Sequence, residues 1–275
     1  MKKIISRIFS DCGLEVGFAD FAEVRFSEPE KEYFTVLVTY LPYYFPQPEN
    51  ANICKYASLP DYHDAFSEKL EVVAEKLREA FPDNVFDVYV DKSPVDEKKA
   101  ALRAGLGVKG RNSLLITKKH GSFVFLGSVC SDIRIGCDSC PDSCCENCGL
   151  CERSCPVGAI ADGKLDFNLC LSAVTQRKGE LTDAEKVAIR KSGIAWGCDV
   201  CQNVCPNNRP LAGLFSEFAG ANRDNLIYRL EPEQLQGLTE RQFREKFRGR
   251  AFIWRGRKTL LRDLEIVSGE DMTSH

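Results

Sequence analysis

The chain has 275 residues, a formal net charge of −3, 44% hydrophobic and 28% charged residues. This is ordinary globular composition, so wholesale disorder is excluded, and the length suits one large domain or two smaller ones with a shared core. The opening MKKIISRIFSDCGLEVGF carries charges early, has too short an apolar run for a membrane span and lacks a signal-peptide core, so no membrane contact and a cytoplasmic location are expected.

The first 130 or so residues read as alternating helices and strands. Residues 2–11 form an amphipathic pattern, and TVLVTYL (35–41) is short, β-branched and apolar, as a buried strand should be. Tyr62, Phe66, Leu70, Val73, Leu77 and Phe81 recur at helical spacing over 60–81, with Pro82 as a stop. VFDVYV (85–90) reads as a strand. Pro94 opens a helix to about Ala104, which the glycines at 105, 107 and 110 break. SLLIT (113–117) and SFVFLGSV (122–129) read as a hairpin across KKHG. Tyr40 and Tyr43, at the end of the first long strand, read as core or rim residues that could line a pocket.

Composition changes near Gly136. Eleven of the 14 cysteines lie between Cys137 and Cys205. A secreted disulfide scaffold would be shorter and would spread its cysteines, so metal or cluster ligation is the better reading. The segment 137–155 has too little apolar content to fold as ordinary structure, and bound metal must supply the missing stability. Cys145, Cys148, Cys151 and Cys155 have the spacing C-x2-C-x2-C-x3-C followed by Pro156, the bacterial ferredoxin run. Three thiolates at that spacing wrap one cube of iron and sulfide, and the fourth reaches a second cube. Pro156 is expected to start a helix at VGAI. Cys198, Cys201 and Cys205 form a second group, again followed by proline, and Cys170 can supply its missing ligand. One cluster then takes Cys145, Cys148, Cys151 and Cys205, and the other Cys155, Cys170, Cys198 and Cys201. Structural zinc also uses C-x2-C pairs but does not need two C-x3-C-P endings. Cys137, Cys140 and Cys144 could hold a further metal, compete in register with Cys145, or be free thiols on a loop. Cys12, Cys54 and Cys130 read as small buried side chains. After Cys205 the chain is helical and basic, with nine Lys/Arg and one acid between Arg241 and Arg262. That tail could contact phosphate or be a solvated helical face.

Residues 90–127, VDKSPVDEKKAALRAGLGVKGRNSLLITKKHGSFVFLG, resemble the signature of the epoxyqueuosine reductases: an Asp-x-x-Pro turn, a helix ending Arg-Ala-Gly-Leu-Gly, then Gly-Lys-Asn, then Gly-Ser-x-x-x-Leu-Gly. GCDVCQNVCP (197–206) and the tail 238–263 continue the same family order. The resemblance implies an α+β protein: a mixed α/β corrinoid-binding domain over 1–135, a ferredoxin-like domain with two [4Fe–4S] clusters over 136–210, and a basic helical extension over 211–275. It implies a cobalamin beside the clusters, an external low-potential electron donor, and reduction of epoxyqueuosine to queuosine at the tRNA wobble position. With three histidines and no Asp-x-His-x-x-Gly run, a base-off cobalamin is expected.

The resemblance also implies that Asp91 donates the proton to the departing epoxide oxygen. The bland alternative is a turn or cap aspartate, common before proline. Gly105, Gly107 and Gly110 could let backbone approach a corrin ring, or simply form a loop. Asn112, Gly121 and Ser122 are family-matched cofactor-pocket candidates. Val108 stands where the family has a large aromatic residue, and Arg111 replaces the lysine of Gly-Lys-Asn. Longer members continue into a helical-repeat domain that helps hold tRNA; a chain ending at 275 weakens the tRNA expectation more than the redox one. The alternatives are a reductase of another small substrate, dehalogenase-like, and a non-enzymatic electron carrier or corrinoid-protein activator.

Overall fold

The computed structural model describes residues 1–137 and 145–269. The elements run, in chain order, α1 Lys2–Asp11, β1 Val16–Asp20, α2 Phe21–Val24, β2 Thr35–Pro42, α3 Lys55–Ser58, α4 Tyr62–Ala80, β3 Phe86–Tyr89, α5 Glu97–Arg103, β4 Val108–Lys109, β5 Leu115–Ile116 and β6 Val124–Ser131. There follow α6 Leu150–Arg153, β7 Ile160–Ala161, β8 Lys164–Leu165, α7 Leu171–Thr175, α8 Asp183–Ser192, α9 Val200–Asn203, α10 Glu217–Ala221, α11 Glu240–Lys246 and α12 Arg257–Ser268. A mixed α/β N-terminal region thus precedes a more helical C-terminal one. The chain divides into two compact units. One holds Met1–Pro42, Tyr62–Gly110 and Leu114–Asn147; the other holds Tyr43–Asp61, Arg111–Ser113 and the chain from Cys148 onward.

The first unit is built on a four-stranded antiparallel sheet in the order β1-β2-β6-β3. Every β2 residue from Thr35 to Leu41 is buried, which is why the run is apolar or β-branched throughout: both sheet faces are covered. Val36, Val38 and Tyr40 pack with Ala100, Ala101 and Ala104 of α5 and its C-terminal end. Small residues let that helix sit close, and a methyl group at Gly17 would lie 2.6 Å from the Ala104 carbonyl oxygen. On the other face, Phe66 and Leu70 of α4 fill the space over Gly127 of β6. Edge strand β3 carries a polar network, in which the Tyr33 hydroxyl donates to Asp87 at 2.6 Å and Lys31 pairs with the same carboxylate at 2.8 Å.

The helices expected over 2–11, 60–81 and 94–104 form as α1, α4 and the shorter α5. The hairpin expected across KKHG does not. β5 pairs with β4, and β6 is an inner strand between β2 and β3. Only an isolated Thr117–Gly121 bridge closes the turn. The long apolar run from Val124 finds more burial between β3 and the eight-residue β2 than beside a two-residue neighbour. The helix expected at VGAI is also absent. Gly158 takes φ +62°, and Ile160–Ala161 pairs with Lys164–Leu165 across Asp162–Gly163, both at positive φ as a tight hairpin turn requires.

The second unit has one apolar core around the fully buried Trp196, with Ile53, Ala57, Leu235, Phe243, Phe252 and Leu260. A second core joins Leu171, Val174, Leu181, Ile189 and Ile266. Thr182 and Thr239 open α8 and α11 with reciprocal capping boxes. Several basic residues of the tail tie the chain to itself. Arg250 donates to the Ser58 and Asn225 carbonyls, Arg257 to Leu235, and Arg262 to Arg177 and Gly179.

Candidate active site and cysteine cluster

Beyond β3 the chain turns sharply. Asp91 takes φ +64°, and the Lys92 N–H donates to the Val90 carbonyl at 2.8 Å across it. An i to i+2 bond over a residue at positive φ is the rarer, strained γ-turn, and such strain concentrates where a side chain must be held for use. Pro94 follows, and the Asp96 side chain caps α5 by accepting the Lys99 N–H at 2.9 Å. Asp91 is therefore not the cap of that helix. Its side chain is 63% exposed, and its Oδ2 lies 3.5 Å from Nε2 of His63, in the first turn of α4.

Beneath this turn sits Glu97, at the start of α5. Its carboxyl accepts a hydrogen bond of 3.4 Å from the Ser128 hydroxyl of β6. Burial, with the nearby Asp91 charge, pushes the Glu97 carboxyl up to about 8, against the opposing pull of hydrogen bonding and His63. Alongside, the Tyr62 ring stacks on Phe125 at 3.8 Å and on His63 at 4.2 Å. Asp91 also borders a cavity of about 650 Å³ lined by Lys31, Arg78, Tyr89 and Lys92.

Neither Glu97 nor His63 was singled out by sequence reasoning. For Glu97 a signal existed: it lies at i relative to Ala100, Ala101 and Ala104, the buried face of α5, where a carboxylate needs a reason.

The remaining pocket candidates are scattered. Gly105 follows the end of α5 at φ +73°. Gly107 faces its own hairpin, since a methyl group there would lie 2.4 Å from the Ile116 carbonyl oxygen, so the bland reading explains this glycine fully. Gly110 donates its N–H to Leu114 at 2.9 Å, Gly121 closes the turn with Thr117, and Ser122 is buried. Asn112 is buried in the second unit, where its side chain hydrogen-bonds the Cys201 thiol. Val108 is buried in β4, and Arg111 pairs with Glu152 of α6 at 2.8 Å. Tyr40 and Tyr43 are both core residues, at 4% and 6% exposure.

Cys148, Cys155, Cys170, Cys198, Cys201 and Cys205 are free thiols, and Cys151 is partly buried. Short helices present them, Cys151 on α6 and Cys201 on α9, while Cys170 immediately precedes α7. The fold brings Cys170 and Cys155 within electrostatic reach of Cys198, and Cys170 within reach of Cys201. Burial pushes the Cys198 and Cys201 thiols up to about 12. Thiols are soft, metal-binding donors, although among the described residues no three His, Cys, Asp or Glu side chains converge closely enough to hold a metal ion, and Cys148 is exposed. Cys145 is partly buried and Cys137 exposed; Cys140 and Cys144 lie outside the described residues. Cys54 and Cys130 are buried as expected, whereas Cys12 is only half-buried.

Comparison with known proteins gives the same picture from outside. Residues 144–208 match the 4Fe-4S double cluster binding domain, and residues 25–92 match the family described as epoxyqueuosine reductase QueG, DUF1730. An epoxyqueuosine reductase of Listeria monocytogenes is 35% identical over 75% of this chain and 54% of its own length. One from Synechocystis is 33% identical over 78% of this chain and 75% of its own. The chain belongs to the epoxyqueuosine reductase family. It spans little more than half of the first relatives it matches, 54% and 59% of their lengths. Among solved structures, an epoxyqueuosine reductase with an epoxyqueuosine-modified tRNA stem loop superposes with a TM-score of 0.82 at 25% identity, over 97% of this chain and 80% of that one. As a family member the chain carries an iron–sulfur domain, and among the described residues no helix is long and apolar enough to cross a membrane.

Proposed function

We propose that this chain reduces the epoxide of epoxyqueuosine in tRNA to the alkene of queuosine, as a cytoplasmic enzyme with two [4Fe–4S] clusters and a cobalamin. The observation that carries the reading is Asp91, an exposed carboxyl on a strained turn with His63 at 3.5 Å, in a chain of this family. Epoxide plus two electrons and two protons gives alkene plus water. The bound clusters and cobalamin would supply the electrons, drawn from an external low-potential donor.

The chain's own residues handle the oxygen. Breaking its bond to carbon needs a proton on it, and Asp91 is the carboxyl placed to deliver one. His63 can share that proton or orient the carboxyl. Cys145, Cys148, Cys151 and Cys205 would hold one cluster, and Cys155, Cys170, Cys198 and Cys201 the other. The proximity of Cys155, Cys170, Cys198 and Cys201 supports the second set. Gly105, Gly110, Gly121 and Ser122 would border the cobalamin. Asn112 instead serves a cluster, because it bonds Cys201. Gly107 serves its hairpin. The tRNA partner is favoured by the related structure bound to a tRNA stem loop, and basic side chains would meet its phosphates.

Anaerobic reconstitution with iron, sulfide and cobalamin, followed by assay on epoxyqueuosine-containing tRNA, tests the reading. Queuosine should form. Full iron and corrinoid content without turnover would overturn the substrate, and corrinoid lost on dialysis would overturn the cobalamin.

A further inference from the structure

We propose that Trp254 is a stacking platform for an unpaired base of RNA, set among cations that meet the flanking phosphates. The inference rests on the reading of tRNA as the partner. Trp254 lies in a short 3₁₀ helix, Ala251–Arg255, just before α12. It is 53% exposed, whereas the other tryptophan, Trp196, is fully buried. The exposed ring is nevertheless held. Its Nε1–H donates to the Gln176 side-chain oxygen at 3.3 Å, and the Arg255 guanidinium carbon lies 3.5 Å from the ring centroid. A hydrogen bond at the ring edge and a cation over one face fix the plane of the indole while much of its surface stays open to solvent. A ring already oriented loses little freedom when a flat partner stacks on it.

Charge complementarity names the occupant. Between Arg241 and Arg262 the chain carries nine Lys/Arg and one acid. Arg262 donates to the Arg177 and Gly179 carbonyls, so the loop that carries Gln176 is tied to α12 beside Trp254. That loop exposes Lys178, and Lys258, one turn before Arg262 on α12, is exposed as well. The neighbouring Phe247, Phe252 and Leu260 are buried, so the indole stands singly among charged side chains instead of belonging to a broad apolar patch of the kind a protein partner covers. A single aromatic plate rimmed by cations suits single-stranded RNA, in which every base offers a π-face and every linkage a negative charge.

Binding of a fluorescein-labelled, unmodified tRNA anticodon stem loop to the reconstituted full chain, read by anisotropy, tests the platform. A blunt RNA duplex and heparin serve as polyanions without unpaired bases. Trp254→Ala should weaken stem-loop binding about 10-fold and leave duplex and heparin binding unchanged, with iron content and thermal midpoint retained. Trp254→Phe keeps an aromatic face and should recover most of the affinity. Lys178→Ala and Lys258→Ala should weaken all three polyanions alike, each lowering the salt slope of stem-loop binding by about 1. Because Trp196 is fully buried, quenching of the protein's emission by the stem loop reports on Trp254. That quenching should vanish in Trp254→Phe while binding persists. Stem-loop affinity unchanged in Trp254→Ala overturns the platform and leaves the tRNA reading standing. Equal losses on the stem loop and heparin also overturn it, since charge or folding would then be the cause. A wild-type chain that binds no stem loop overturns both the platform and the tRNA reading.

Discussion

Nε2 of His63 lies 3.5 Å from Oδ2 of Asp91, although the two residues are 28 positions apart and sit on different elements. His63 comes from the first turn of α4 and Asp91 from the strained turn beyond β3. The contact gives the carboxyl a partner that can donate or accept a proton. Asp91→Asn keeps the size and much of the hydrogen bonding but cannot deliver the same proton. Turnover on epoxyqueuosine-containing tRNA should drop by a factor on the order of 10²–10⁴, with iron and corrinoid content unchanged. Single-turnover assays with quantified cofactor content decide it. Because Asp96 already caps α5, no loss of helix stability should accompany the change.

Gly17 should not tolerate a methyl group. An added Cβ would meet the Ala104 carbonyl oxygen at 2.6 Å and the Ala104 Cβ at 2.7 Å, both fixed by backbone. Either β1 or the end of α5 must move, and Gly17→Ala should cost about 1–3 kcal/mol. A lowered thermal midpoint checks this, and an unchanged one would show that α5 packs less tightly on β1 than described.

Where neighbours in space are also neighbours in sequence, the fold was legible. β2 and α4 were readable because their apolar residues repeat at the period of a strand and a helix over many positions. The KKHG hairpin was misread because β6 pairs with β2, 82 to 96 positions upstream, and no local pattern carries that partnership. The VGAI helix failed for a local reason that was visible, Gly158 and the Asp162–Gly163 turn, which outweigh the helix-starting tendency of Pro156. The iron–sulfur character of the cysteine segment was readable from its local spacing, and residues 144–208 match a 4Fe-4S double cluster binding domain. Glu97 and His63 were missed because only the tertiary fold sets α4, α5 and β6 around Asp91. The positions of Asn112 and Gly107 likewise follow from partners, Cys201 and Ile116, that motif matching does not reveal.

Stability should fall as pH rises from acid toward mildly alkaline. Burial raises Glu97 from 4.5 to about 8 and Asp263 from 3.8 to about 7. Between those limits the unfolded chain releases its protons before the folded one does. The unfolded state then binds fewer protons, and stability declines with pH until both groups have ionised in the folded state as well. The contribution is on the order of 1–4 kcal/mol for each group. Thermal midpoints of the wild type should be higher near about pH 5.5 than near about pH 8.5, and the slope should flatten in Glu97→Gln and in Asp263→Asn. A slope that both variants preserve would assign the pH dependence elsewhere.

Cys170 offers the sharpest test of how the thiols divide. It lies outside both C-x3-C-P groups, yet the fold sets it within electrostatic reach of Cys198 and Cys201. If those three and Cys155 hold one cluster, Cys170→Ser should remove that cluster and spare the other. Iron and sulfide should fall from about eight of each per chain to about four, the content of a single [4Fe–4S] centre. Cys148→Ser should remove the other four, and the two remaining clusters should differ in their electron paramagnetic resonance spectra after reduction. Serine is a poor substitute because the cluster irons favour soft thiolate sulfur over a hydroxyl. Cys137→Ser should leave iron content unchanged, since Cys137 is exposed and outside both proposed ligand sets. Full iron content in Cys170→Ser would mean that another cysteine completes the second centre, and Cys137, Cys140 and Cys144 would then be the first to substitute in its place.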